Sequence, residues 1–168
     1  SITLDHSTFA ALNASQSSFM HTLSCEGCKV ASSTGLTGSQ FREDVDFSDA
    51  QLESVLANDA TIFGAFRYQR AVTKWLGFFA QTKFIGGAFF DDADFKHKSM
   101  FVLTEFNSAT FNRTRFRMDA TFASSRWSQA VEFIQTQFDD KVSFTSSILA
   151  STASLDFSNA TFSRDAFF

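Results

Sequence analysis

The chain has 168 residues and a net charge of −4, from 18 carboxylates against 14 lysines and arginines. That is one domain's worth of sequence, without the basic balance of a nucleic-acid binder or an apolar run near the ~20 residues that span a bilayer. Its 24 Phe stand against one Tyr, two Trp and no Pro, so polar residues must space the rings apart.

The chain opens on Ser1 without a basic-then-apolar signal pattern. In its first third, Phe19, Cys25, Val30, Leu36, Phe41, Phe47 and Leu52 stand 6, 5, 6, 5, 6 and 5 residues apart. Two positions before each lies Ser17, Leu23, Cys28, Thr34, Ser39, Val45 or Ala50. Neither the helical period of ~3.6 nor the strand period of 2 governs this spacing. In an extended segment residues two apart share a side, so each unit sends one large and one smaller side chain inward. Asn58-Asp59-Ala60-Thr61-Ile62 is a further unit of this kind.

Over residues 63–78 the sequence reads FGAFRYQRAVTKWLGF and the small-x-large rule fails. Tyr68, Val72, Trp75 and Leu76 share one face at helical spacing, with Arg67, Arg70 and Lys74 elsewhere. The spacing predicts a non-repeat aromatic insert, a loop or short helix that projects from the repeat or folds back over its side or end. Aromatic residues and arginine are typical interface anchors, which makes Phe66, Tyr68, Arg70 and Trp75 candidate interaction residues.

From there the rule runs unbroken through Phe79, Phe84, Phe90, Phe95, Phe101, Phe106, Phe111, Phe116, Phe122, Trp127, Phe133, Phe138, Phe144 and Leu149, in steps of five or six. The residue two before each is small or β-branched, from Gly77 and Thr82 to Val142 and Ser147. Four units sum to 21–22 residues, so residues that far apart should stack. The predicted columns are Phe84-Phe106-Trp127-Leu149, Phe90-Phe111-Phe133, Phe95-Phe116-Phe138 and Phe79-Phe101-Phe122-Phe144. Outward, Lys83, Glu105 and Arg126 should alternate in charge and Asp94 should stack on Arg115. Residues 150–168 form a C-terminal coil or cap: Phe157, Phe162 and Phe168 keep the rhythm but are shifted from these columns. Phe167 and Phe168 would leave aromatic surface at that end and are further candidate interaction residues.

Ala93-Asp94-Phe95, Ala109-Thr110-Phe111, Ala120-Thr121-Phe122 and Ala160-Thr161-Phe162 resemble the pentapeptide-repeat family in its Phe-centred variant. The resemblance covers nearly the whole chain, 1–168, as a single domain. It implies an all-β, right-handed, quadrilateral β-helix with about 21–22 residues per coil, one pentapeptide per side. The frequent six-residue step departs from the family pattern and is read as one extra residue held at a corner or bulge. The resemblance also implies a DNA-mimicking regulator of a type II topoisomerase (gyrase), and a homodimer through the C-terminal end.

No catalytic, cofactor or metal constellation is expected. Asp5, His6 and Ser7 hold triad residue types, but neighbours in an extended chain point apart. Cys25 and Cys28 form a C-x-x-C whose register makes both inward, as inert buried thiols or a short disulfide; two cysteines make neither a disulfide framework nor a four-ligand zinc site. His6, His21 and His97 are scattered, and Gly86-Gly87 lacks the periodic Asp of calcium-binding rolls. Lys96-His97-Lys98 and Arg113, Arg115 and Arg117 read as solvated surface. The repeat itself generates the sequons at Asn13, Asn112 and Asn159, so export and localisation stay open. The functional expectation is a non-enzymatic scaffold presenting a rigid surface to another protein, with no direct nucleic-acid contact. The modest charge stands against the DNA-mimic alternative, since a mimic should track phosphate spacing with carboxylates.

Overall fold

A computed structural model describes residues 1–168 as a four-sided parallel β-helix. All strand pairs are parallel, and all but two strands are two residues long. The first side stacks eight strands, the fourth seven, and the second and third share one 14-stranded sheet. That sheet bends around a corner through the two longer strands, Lys29–Gly35 and Gln51–Leu56. No helix is present that is long and apolar enough to cross a membrane.

The inward columns follow from the two-residue alternation. On the first side they run Cys25, Phe47, Tyr68, Phe90, Phe111, Phe133; on the fourth, Phe41, Ile62, Phe84, Phe106, Trp127, all buried. Rings within a column stack near the coil spacing: Phe90–Phe111 at 4.7 Å, Phe111–Phe133 at 4.8 Å, Phe101–Phe122 at 4.8 Å and Phe106–Trp127 at 4.6 Å. Rings of opposite sides meet edge to face across the core, as in Phe101–Phe111 at 5.7 Å and 86°. Both geometries suit the ring quadrupole. The four predicted columns are therefore present.

The corners explain the mixed step. After every inward residue of the first and third sides, the second residue on has positive φ: Gly27, Asp49, Arg70, Asp92 and Arg113 on one edge, Gly38, Asp59, Gln81, Leu103 and Ser124 on the other. These turns close with an N–H three residues on donating back, as in Ala71 to Tyr68 and Thr82 to Phe79 (both 3.2 Å), and always take a five-residue step. The six-residue steps fall at the other two corners, where Gly87 alone has positive φ.

Residues 63–78 correct the expectation of an insert. Phe66–Arg67, Val72–Thr73 and Gly77–Phe78 are strands paired on both sides with the neighbouring coils. The step from Ile62 through Tyr68, Thr73 and Phe79 to Phe84 is 6, 5, 6, 5, so the rhythm never stops. Two substitutions hide it: Phe66 takes a normally small inward position, and Thr73 takes a large one. The exchange is mutually compensating. The Tyr68 ring reaches over the small Thr73 to stack on Phe95 at 5.8 Å, Phe66 stacks beside Tyr68 at 5.7 Å, and the Tyr68 hydroxyl and Thr73 Oγ1 lie 2.7 Å apart in a fully buried hydrogen bond. At Gly77, an added Cβ would lie 3.1 Å from Phe95 Cε1, so ring packing keeps that position minimal.

The C-terminal coil is also less irregular than its spacing suggests. Strand register lengthens from 22 residues (Trp127 to Leu149) to 24 (Val131 to Leu155), so two additional residues are absorbed at the corner before Leu155. Beyond it the columns resume, with Phe133–Phe157 at 4.9 Å, Phe138–Phe162 at 5.1 Å and Phe144–Phe168 at 5.4 Å.

Four buried threonine hydroxyls are satisfied along the seams: Thr82, Thr104, Thr114 and Thr136 each donate to a carbonyl of the preceding coil at 2.6–2.7 Å. In the second coil Cys25 and Cys28 are joined by a disulfide across a left-handed turn at Gly27, both fully buried. Of the two readings of the C-x-x-C, the disulfide is the one present.

Candidate interaction face

With every side defined, the outward residues can be read as four columns. The first side presents Ser24, Asp46, Arg67, Phe89, Thr110, Glu132 and Asp156. The second presents Lys29, Gln51, Val72, Asp94, Arg115 and Gln137. The fourth presents Gln40, Thr61, Lys83, Glu105, Arg126 and Ile148. The third side differs in kind: Asn13, Gly35, Leu56, Phe78, Met100, Thr121, Ser143 and Phe167 carry no charge in any coil.

Leu56, Phe78 and Met100 form a half-buried apolar stripe down the middle of this side. Past Met100 the stripe sinks into a notch of about 350 Å³, because Thr121 and Ser143 are small; Met100 and Phe167 line it, with Lys98, Asp119 and Lys141 also on its border. At the corner leading into the third side, Trp75 is 51% exposed and stacks on His97 at 4.0 Å. A long charge-free strip with an exposed Trp beside it is the only such surface on the rod, and apolar surface of this kind marks interaction sites.

The candidate residues are distributed by the fold rather than gathered. Phe66 and Tyr68 lie in the core with no exposed surface, which corrects their assignment as contact residues. Burial also pushes the Tyr68 phenol above its ordinary range. Arg70 sits at a left-handed corner and grips Asp49 with two hydrogen bonds of 2.7 and 2.6 Å. Trp75 borders the third side, as described. Phe167 points outward on that side and is 46% exposed, whereas Phe168 points inward beneath Phe144 and is 72% exposed. Leu56, Phe78 and Met100 occupy outward positions, which the inward repeat pattern does not mark. Their signal, an uncharged residue in every fourth unit, becomes visible only after the columns are aligned.

Elsewhere the polar surface is tied internally. Arg113 grips Asp92, Arg117 grips Asp94, Arg115 reaches Asp139 and Arg67 reaches Asp44, each at 2.7 Å. Asp94 and Arg115 are register neighbours as expected, but the longer reach of Arg117 takes the Asp94 carboxylate. Lys83 pairs with Glu105 at 3.1 Å. The arginine hydrogen bonds hold the Asp44, Asp49 and Asp92 carboxyls below their ordinary value. Asp5 accepts from the Ser24 hydroxyl and the Glu26 N–H. The Asn112 side chain is engaged too, donating to Glu132 and accepting from the Ile134 N–H.

No protein-family model matches this chain, and no curated protein sequence matches it significantly.

Proposed function

We propose that this chain is a non-enzymatic interaction module, a pentapeptide-repeat rod whose third side docks onto a protein surface. The observation that carries the reading is the uncharged outward column, with Leu56, Phe78 and Met100 at its centre and Trp75 at its border. The other three sides each carry charged residues in their outward columns; the third carries none and has apolar surface to bury. The rod is rigid because each ring contacts rings above, below and beside it, so docking loses little conformational entropy. The resemblance of Ala93-Asp94-Phe95 and its fellow units to pentapeptide repeats supports the same assignment.

The test is affinity capture from a lysate with the wild-type chain and with Met100→Glu, a change on the outside that should leave the melting curve unaltered. Proteins captured by the wild type and lost with Met100→Glu are expected. An identical captured set for both would sink the proposal.

The DNA-mimic reading requires carboxylates left free to copy phosphates along one side. Asp49, Asp92, Asp94 and Asp139 are each held by an arginine, which disfavours it. Saturating protein is expected to leave topoisomerase supercoiling unchanged.

A further inference from the structure

Resting on the docking reading of the third side, we infer that the surface which fits it is a second copy of the same side, running antiparallel. The third side has a bulky half and a hollow half. Along its length the outward residues run Leu56, Phe78, Met100 and then Thr121, Ser143, Phe167. A two-fold axis across the side, between the coils of Met100 and Thr121, reverses the coil order. It sets Met100 against Thr121 of the second copy, Phe78 against Ser143, and Leu56 against Phe167. Large residues then enter the notch that small ones leave, twice, as an isologous interface requires.

The charged border obeys the same operation. The residues that lead into these coils are Ser54, Leu76, Lys98, Asp119, Lys141 and Asp165, aligned by consecutive backbone hydrogen bonds. The axis places Lys98 opposite Asp119 of the second copy and Leu76 opposite Lys141. One residue further out, Glu53 meets Arg164 and Trp75 meets Asp140. No like charges face each other among these. A two-fold axis through the Thr121 coil would instead oppose Asp119 to itself and Lys98 to Lys141, and one between the Thr121 and Ser143 coils would keep opposite charges together but press Met100 on Phe167 and leave the notch unfilled, so charge and size together select one register. Within one chain Lys98 reaches Asp119 only at 3.6 Å, with both half exposed, which leaves both free to bond across the interface.

Size sets the strength. Six coils at ~4.8 Å give a contact ~29 Å long, and with its borders roughly 500 Å² per copy, the low end for specific interfaces. The dimer should therefore be reversible and concentration-dependent rather than obligate.

The experiment is sedimentation of the intact chain over a hundredfold concentration range, with directed cross-linking. Wild type should shift from monomer to dimer, and Thr121→Phe, which fills the notch, should weaken the dimer at least tenfold without altering the circular dichroism. Lys98→Glu should weaken it similarly, and Lys98→Glu with Asp119→Lys should restore it. A mixture of Phe78→Cys and Ser143→Cys chains should form an interchain disulfide, whereas neither should cross-link with itself, its thiols lying about three coils (~14 Å) apart along the rod. A monomer at every concentration overturns the inference, as does a dimer indifferent to Thr121→Phe or a Phe78→Cys chain that cross-links to itself. If the chain stays monomeric while lysate capture still depends on Met100, the docking proposal stands and its partner is a different protein.

Discussion

The two ends of the rod are built to the same coil geometry from different materials. Between Phe79 and Phe144 every inward column is aromatic, and stacked rings touch those of the opposite column across the core. In the first two coils the same positions hold Ala14, Cys25, Val30 and Leu36. One ring stack, Phe19 on Phe41 at 4.8 Å, reaches into that part. A smaller residue leaves less to bury, and there the disulfide joins two positions that a ring and a small residue fill elsewhere. Backbone hydrogen bonding is repeated in both regions, so the coil shape depends on the turns and ladders, and the ring columns set how firmly each coil is held.

Removing one ring from the aromatic half should have the largest effect. Phe111→Ala should destabilise the fold by about 3–5 kcal/mol, on the order of 10 °C in melting temperature for a chain of this length. Leu36→Ala should cost less, about 2–3 kcal/mol. Equal costs in a denaturant titration would erase the contrast between the halves.

Reduction of the disulfide should act only on the other half. Closing a four-residue ring contributes ~2 kcal/mol in the chain-entropy account. Cys25→Ala with Cys28→Ala should therefore speed amide exchange over residues 1–36 and leave 79–144 protected. Uniform loss of protection would mean that the rod unfolds as one unit.

At the junction, Tyr68→Phe strands the buried Thr73 hydroxyl and should cost about 1–3 kcal/mol. Adding Thr73→Val removes the stranded group and should recover part of that loss. A double mutant no more stable than Tyr68→Phe would show that the 2.7 Å hydrogen bond is not the source.

The corner ion pairs should have the smallest effect. Asp44, Asp49 and Asp92 have folded pKa values depressed below 3.8, first by hydrogen bonds from Arg67, Arg70 and Arg113. A depressed carboxyl contributes stability above its unfolded pKa and loses it as pH falls through the folded value. The melting temperature should thus hold steady from neutral pH down to about pH 4 and decline only below it. These pairs are exposed, so the decline should be shallow and centred on the coils between Asp44 and Arg113. A decline that began near pH 6 would point to histidine instead.

Much of this architecture was legible in the chain. Steps of five and six residues identified the coil, and the small residue two before each Phe identified the inward side. Coil length then placed Phe84 under Phe106 and Phe90 under Phe111. Reading failed where two side chains exchanged sizes. Phe66 and Thr73 each break the local rule, and only their combined volume obeys it, a relation across one coil that no window of sequence displays. Trp75 and Leu76, outside the core, fell at helical spacing with Tyr68 and Val72 and completed the false image of an insert.

By itself the sequence determined the period and the inward residues outside 63–78, because those follow from alternation along an extended backbone. The tertiary structure alone decided which outward residues share a side. Leu56, Phe78 and Met100 lie 22 residues apart, and they become one surface only when turns at Asp59, Gln81 and Leu103 bring each coil to rest on the one before. Charge pairing was decided the same way: Arg117 takes Asp94 across 23 residues because side-chain reach across adjacent coils, not register alone, selects the partner.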